Sequence, residues 1–316
     1  MEAGMMGPAY YVWNAKWRLH RAREDGENSD RMTRRRILIT GSSGRLGGAL
    51  ARHLSAEYDI VQLDLLEPYA EDLRGIGPVF EGSITDVSLV EQSMDGVDAV
   101  VHCAAFPGPI QPFHELMETN VQGTFVLLEE AGKREGVDQF IFLSSIQWHG
   151  LHEAHGARQL PKFLPITEAH PSLSTGYYDT SKVLGEHLCR VYTQRFAKPC
   201  VAMRPGWIIT EETEASFGAV PPPVYPHLND YVGTSDVVDA VRLLLDYDPP
   251  EGFEAFLFNA EDQRSTMPSL ELAEKYFAGI PVDSEKLGSC GGFGALVDCT
   301  RARERLEWVP KFGCQR

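Results

Sequence analysis

Arg36-Ile37-Leu38-Ile39-Thr40-Gly41-Ser42-Ser43-Gly44-Arg45-Leu46-Gly47 is the stretch on which the architecture turns. A short apolar run leads straight into glycines at 41, 44 and 47. A run of this kind, bounded by glycine, reads as a strand buried on both faces. The glycines then read as a tight turn into a helix over 44–55. Such a turn lets backbone approach a pyrophosphate with no Cβ in the way. The helix start adds free N–H groups and the positive end of a dipole.

Outward from this turn, strand and helix alternate. Strands are expected at 59–64, 78–82, 98–103, 139–144 and 200–204. Helices are expected at 111–134 and 176–196, and Asp86 is placed to N-cap another. Alternation of this kind predicts an α/β fold, a doubly wound parallel sheet with helices on both faces. Asp64 closes the second strand, 23 residues after Gly41. That spacing suits a carboxylate on the adenosine ribose hydroxyls. Leu65, Leu66 and Glu67 follow it, with no cation for a 2′-phosphate, so NAD is favoured over NADP. After Arg204 the rhythm breaks. Residues 210–230 are rich in Glu and Pro, and helices are expected only at 235–245 and 269–277. A smaller cap on the C-terminal edge of the sheet is the expectation, with some of its elements returning to the core.

Composition narrows the class. The chain has 316 residues, 43% hydrophobic and 23% charged, and a net charge of −16. That is ordinary for a globular chain, and too acidic for a general binder of phosphate backbones, so no nucleic-acid partner is expected. No apolar run reaches the roughly 20 residues of a membrane span. The six cysteines show no CxxC or zinc-type spacing, which suits reduced thiols in the cytoplasm. Residues 1–36 differ, with eight basic and five acidic side chains. Residues 1–33 are read as a flexible extension, or as an over-long start before Met32, rather than as a targeting peptide. The organisation expected is this extension, a dinucleotide-binding domain over 34–206 and the cap over 207–316.

The GxxGxxG spacing resembles the extended branch of the short-chain dehydrogenases/reductases, the NAD-dependent epimerase/dehydratase family. Further matches run from Arg36 to Phe312. Val100-Val101-His102-Cys103-Ala104-Ala105 resembles the family strand that lines the cofactor. Asn120-Val121-Gln122-Gly123-Thr124 is similar to its helix motif. Phe140 to Ser145 is similar to its serine strand, Tyr178-Asp179-Thr180-Ser181-Lys182 to its YxxxK, and Arg204-Pro205-Gly206 to the loop beside the nicotinamide. The resemblance implies a Rossmann-type fold, a homodimer packed through helices 111–134 and 176–196, and NAD as cofactor. The NAD would lie on Gly41, Ser43, Gly44, Arg45, Leu46 and Gly47, with Asp64 at the ribose. Ser83 and Ile84 would stand near the adenine, although the family often has Asp where Ser83 stands. Cys103, Ala104, Ala105, Asn120, Arg204 and Pro205 would complete the contacts, with Tyr178 and Lys182.

Tyr178 and Lys182 are four apart on the expected helix and share a face. A phenol of pKa near 10 is a poor base at neutral pH. A neighbouring ammonium and a cationic nicotinamide would lower that value. By resemblance Tyr178 is the catalytic base, Lys182 also holds the ribose, and Ser145 hydrogen-bonds the reacting oxygen. Ser145, Gln147, Tyr178 and Arg204 are the expected substrate contacts. Ile146-Gln147 stand where the sugar dehydratases carry an acid–base pair, so dehydration is not expected. His149, His152 and His155 lie in an irregular segment without an HExxH pattern, and no metal site is expected there. From 205 to 300 the basic side chains are Arg242, Arg264, Lys275 and Lys286, few for a diphosphate. The reading is hydride transfer at a secondary alcohol of a sugar-type small molecule, leaning to dehydrogenation of a free sugar or uronic acid. The alternatives are a nucleotide-sugar epimerase and a non-catalytic dinucleotide sensor.

Overall fold

The computed structural model describes residues 34–66, 71–108, 112–151, 159–210, 213, 216–221 and 228–313. The described residues from Arg35 onward form one unit. Its frame is built from β1 (Arg36–Thr40), α1 (Arg45–Leu54), β2 (Asp59–Asp64), β3 (Val79–Glu81), α2 (Val87–Ser93) and β4 (Ala99–His102). Then come α3 (Phe113–Met117), a π-helical turn (Glu118–Gly123), α4 (Thr124–Gly132), β5 (Gln139–Leu143), α5 (Tyr177–Phe196) and β6 (Cys200–Pro205). The remainder supplies β7 (Trp207–Ile209), β8 (Tyr231–Gly233), α6 (Thr234–Leu245), β9 (Phe253–Phe258), α7 (Ser269–Tyr276) and α8 (Thr300–Leu306).

Seven strands form one parallel sheet in the order β3-β2-β1-β4-β5-β6-β9, and β7 pairs with β8 apart from it. Strand residues alternate between two cores, as a period of two requires. Ile37, Ile39, Val101, Ile141 and Val201 face α1, α6 and α8. Leu38, Val100, Phe140, Phe142 and Ala202 face α2, α4 and α5. The expected α/β fold is therefore the observed one, with both faces of the sheet covered.

Asp86 caps α2 by accepting from the Ser88 and Leu89 amides at 3.0 and 3.2 Å. Within its described part, the single helix expected over 111–134 is instead α3 and α4 joined by the π turn. The widened turn is where Asn120 sits, a placement common for functional residues. β9 extends the core sheet beside β6, and α6 and α8 cover one of its faces. A further core joins Ile146, Leu151, Leu164 and Ile166 to Leu257, Leu272 and Leu296. The strand 253–258 escaped the sequence reading because Phe253-Glu254-Ala255 lacks a β-branched run and no glycine turn follows it. The order of strands reverses between β1 and β4, which places a crevice at their C-terminal ends.

Candidate active site

The glycine turn closes the β1 end of that crevice. Gly41 has φ +69°, and a Cβ on it would lie 2.7 Å from the Ala104 nitrogen. A Cβ on Gly47 would lie 2.1 Å from the Gly41 carbonyl oxygen. α1 starts at Gly44 with no side-chain cap, so the turn leaves backbone N–H groups at the crevice. Asp64 accepts from the Ser43 amide at 2.8 Å and binds the turn to the end of β2. Arg45 is exposed and Leu46 half-buried at the first turn of α1. Cys103, Ala104 and Ala105 follow β4, half-buried, across from Gly41. Burial pushes the Cys103 thiol up to about 12, against the opposing effect of Lys182. Ser83 exchanges its hydroxyl with Thr85 at 2.7 Å, and Ile84 is packed against Gly123. The cradle is one that only glycine fills, with a carboxylate at its far end. These residues fit a dinucleotide.

Behind the turn, His102 is buried between the Thr40 and Thr124 hydroxyls, each 2.8 Å away. Burial brings its pKa down to about 3, so it is a neutral tie between β1, β4 and α4.

The second half of the crevice lies where β5 ends and α5 begins. Asp179 accepts from the Thr175 and Gly176 amides at 2.9 and 3.1 Å and fixes the start of α5. Tyr178 and Lys182 then rise from one face. The Lys182 ammonium donates to the Leu143 carbonyl at 2.7 Å and lies 5.6 Å from the centre of the Tyr178 ring. Ser145 accepts from the Gln147 amide at 3.1 Å, capping the short 3-10 turn Ile146–His149, and stands in hydrogen-bonding range of the Tyr178 hydroxyl. Burial pushes the Tyr178 phenol up to about 12, while the Ser145 contact opposes it. Burial also brings the Lys182 ammonium down to about 8, against the raising effects of Cys103, Glu186 and Cys189.

Arg204, expected as a cofactor and substrate contact, is 2% exposed, and its Nη1 is buried with no hydrogen-bond partner among the described residues. Its Nε and Nη2 donate to the two oxygens of Glu186 at 2.8 and 2.7 Å, and its guanidinium lies 3.5 Å over the Trp148 ring. The cause is α5, which delivers a buried carboxylate to the end of β6. Pro205 is likewise buried within that strand. Asn120, expected as a cofactor contact, is buried and braces its surroundings. Its amide holds both backbone groups of Phe106 and the Ser181 hydroxyl at 2.8–3.2 Å. Gln147 is half-buried beside Ser145. His149 is buried and held neutral by burial, while His152 and His155 lie outside the described residues. Among the described residues no three His, Cys, Asp or Glu side chains gather as a metal site.

Sequence reasoning missed Glu186 and Ser144. Glu186 also accepts from the Ser144 hydroxyl at 2.7 Å. The signal was there: Tyr178, Lys182 and Glu186 repeat at i, i+4 and i+8 along one helix face.

Comparison with known proteins agrees with this geometry. The sequence model of the NAD dependent epimerase/dehydratase family matches residues 37–218. An NAD-dependent glucose-6-phosphate dehydrogenase of Haloferax volcanii is 28% identical over 257 residues, 71% of this chain and 97% of the relative. A uronate dehydrogenase of Pseudomonas putida is 29% identical over 172 residues, 54% of this chain and 60% of the relative. A short-chain dehydrogenase/reductase superfamily protein of Agrobacterium tumefaciens, solved with NAD, superposes with a TM-score of 0.66 at 22% identity, over 88% of this chain and 93% of that one. The chain belongs to the NAD dependent epimerase/dehydratase family and is an NAD-dependent enzyme of the extended short-chain dehydrogenase/reductase type.

Two outcomes follow from the geometry. Gly41→Ala puts a methyl group into the Ala104 backbone at a positive φ. Titration of the protein with NADH, read by fluorescence, should show affinity reduced at least tenfold. Lys182 is charged in the unfolded chain up to about 10.4 but in the folded chain only up to about 8. Between those values the unfolded state binds more protons, so this group makes stability rise with pH. Lys182→Met should therefore melt above the unsubstituted protein at pH 7, with the gap narrowing from pH 8 to about 10.5.

Proposed function

We propose that the chain is an NAD-dependent dehydrogenase that oxidises a secondary alcohol of a small sugar or sugar acid and releases the product. The observation that carries this reading is the engagement of three of the four cations between residues 205 and 300. Arg242 is bound by Glu57 and Asp239, and Lys286 by Asp298. Lys275 extends over the ring of Tyr276, its neighbour on α7. A nucleotide sugar brings a diphosphate, which calls for several such partners. The curated relatives include dehydrogenases of arabinose, of uronates and of glucose 6-phosphate, which supports the same reading.

Bound NAD would supply the hydride acceptor, held by the 41–47 turn, Asp64 and Lys182. Tyr178 takes the proton of the substrate hydroxyl through its phenolate. Lys182 lowers the cost of that phenolate by placing an ammonium within 6 Å of the ring. Ser145 donates to the same substrate oxygen as charge develops on it. Glu186 and Asn120 touch none of the reacting atoms. They hold β5, β6 and α5 in position.

Two coarser expectations are carried forward in the same reading. Among the described residues no helix is long and apolar enough to cross a membrane. With five described cysteines all unpaired, a cytoplasmic enzyme is inferred. A homodimer is inferred through α4 and α5, where Phe125 and Val191 stand 47% and 41% exposed.

The first test is absorbance at the NADH band after mixing protein and NAD with aldoses, uronic acids and nucleotide sugars. NADH should accumulate with a free sugar or sugar acid, and Tyr178→Phe should lower kcat by about 10²–10⁴-fold. An epimerised nucleotide sugar with no net NADH would replace this reading with the epimerase. The second is light scattering on a sizing column. The protein should run at twice the mass of its chain, and Phe125→Glu with Val191→Glu should shift it to one.

A further inference from the structure

The reaction as described leaves one exposed aromatic side chain unused. The pairing of Leu143 with Met203 sets the end of β6 beside the end of β5, and the 3-10 turn after Ser145 rests on β6 through the stack of Trp148 and Arg204. Trp207 follows three residues after Arg204 and is 50% exposed. With strands about 4.8 Å apart and a rise of about 3.3 Å per residue, the register brings its Cα to about 10 Å from that of Ser145. The indole does not lie loose. The Arg264 guanidinium covers one side of it, 4.7 Å from the ring centre, and lies 4.9 Å from the centre of the Phe217 ring. That guanidinium is itself held, its Nε donating to the Gly218 carbonyl at 3.2 Å. Phe217 is braced by Tyr231 and Phe312, at 4.8 and 5.0 Å between ring centres. The backbone beneath is tied as well. The Val220 amide donates to the Arg264 carbonyl at 2.8 Å, and the Trp207 amide to Asp230 at 3.2 Å. A half-exposed tryptophan is thus fixed before any ligand arrives, beyond the end of β6 and one strand over from Ser145.

We propose that Trp207 is the platform on which the ring of the sugar lies, so that the enzyme takes its substrate as a closed pyranose and not as an open-chain polyol. The proposal rests on the sugar dehydrogenase reading above and narrows its substrate class. One side of the indole is covered by Arg264 while half of the residue stays open to solvent, which leaves the opposite face for a ligand. A pyranose presents a face of C–H groups, slightly positive at the hydrogens, and the face of an indole is negative. The two attract each other beyond the apolar area they bury. An open chain holds no such face in one piece. The charges around the indole favour the same occupant. Asp230 accepts from the Trp207 amide and Asp262 from the Tyr231 hydroxyl, so carboxylates border the aromatic cluster in a protein of net charge −16. That setting suits the uncharged face of a ring better than an anionic group. Lastly, a braced indole has already lost its rotamer freedom, so less is lost when a ring settles on it.

The test uses the full chain with NAD and pairs of probes matched in charge: glucose with sorbitol, and glucuronate with gulonate. UDP-glucose is a separate arm. The pyranose of a pair should be the better substrate. Trp207→Ala should raise its KM about 10–100-fold, with kcat within about threefold and the Kd of NADH, read by fluorescence, unmoved. Trp207→Phe keeps an aromatic face and should fall between, which also serves if the Ala variant does not fold. Preference for the open chain in both pairs, or equal KM values in Trp207→Ala and the parent, overturns the proposal while the dehydrogenase reading stands. Loss of kcat and of NADH affinity together with KM marks a structural tryptophan and overturns it too. Epimerisation of UDP-glucose with no net NADH ends the dehydrogenase reading instead. The platform then stands if Trp207→Ala raises the KM of UDP-glucose and leaves the Kd of UDP unmoved, and falls if both change or neither does. If no probe reacts, calorimetric titration of each pyranose into the enzyme–NADH complex decides. Binding that is lost in Trp207→Ala sustains the platform, and binding that is absent or unaltered overturns it.

Discussion

A single carboxylate, that of Glu186, accepts from Ser144 and from two nitrogens of Arg204 where two strands and a helix meet. Glu186 and Arg204 are each 2% exposed. Burying such a pair is not by itself a source of stability, because desolvation offsets the attraction. Its effect is positional. Separating the partners would strand a charge in the core at a cost of about 3–5 kcal/mol, so the ends of β5 and β6 are held to α5 in one arrangement. Ser144 adjoins Ser145, and Glu186 is one turn beyond Lys182. The charge pair therefore helps fix the relative positions of Ser145, Tyr178 and Lys182, the side chains proposed to react, from outside that group. Trp148 closes the guanidinium from above at 3.5 Å, which keeps water out of the pair.

The cofactor half of the crevice depends on a different constraint, the absence of side chains. Gly41 and Gly47 bring β1, the residues after β4 and the first turn of α1 closer than any Cβ permits. Asp64 then stitches β2 to the same turn through Ser43. His102, neutral and bound on both nitrogens, locks the layer beneath. Each half is rigid for its own reason, and β4 and β5 join them through the paired residues Ala99–His102 and Gln139–Phe142.

Most of this was legible in the chain because it is written in short-range spacing. Apolar runs ending in glycine gave β1 and its turn, Asp86 gave a helix start, and Tyr178 and Lys182 shared a helix face. What was not legible depends on contacts between distant residues. The pair of Arg204 with Glu186, 18 residues earlier, forms because α5 brings them together. The contacts of Asn120 with Phe106 and Ser181 likewise join residues that no local spacing links. β9 is a strand because β6 offers it an edge, which its own residues do not announce. The stacking of Arg264 on Trp207 and Phe217 joins segments 47–57 residues apart, and no periodicity marks it.

The same geometry constrains how the base is made. Burial pushes the Tyr178 phenol up to about 12, so it is protonated at neutral pH. Lys182, brought down to about 8, keeps its charge at pH 7 by a factor of about ten. That ammonium also donates to the Leu143 carbonyl at 2.7 Å. Burial opposes both charged forms separately, yet a phenolate and an ammonium side by side oppose each other's penalty. The proton of Tyr178 is therefore released at low cost only when positive charge gathers over it. On the proposed role of Tyr178 as base, its phenolate is therefore reached with the help of the positive charge that Lys182 and bound NAD would place beside it.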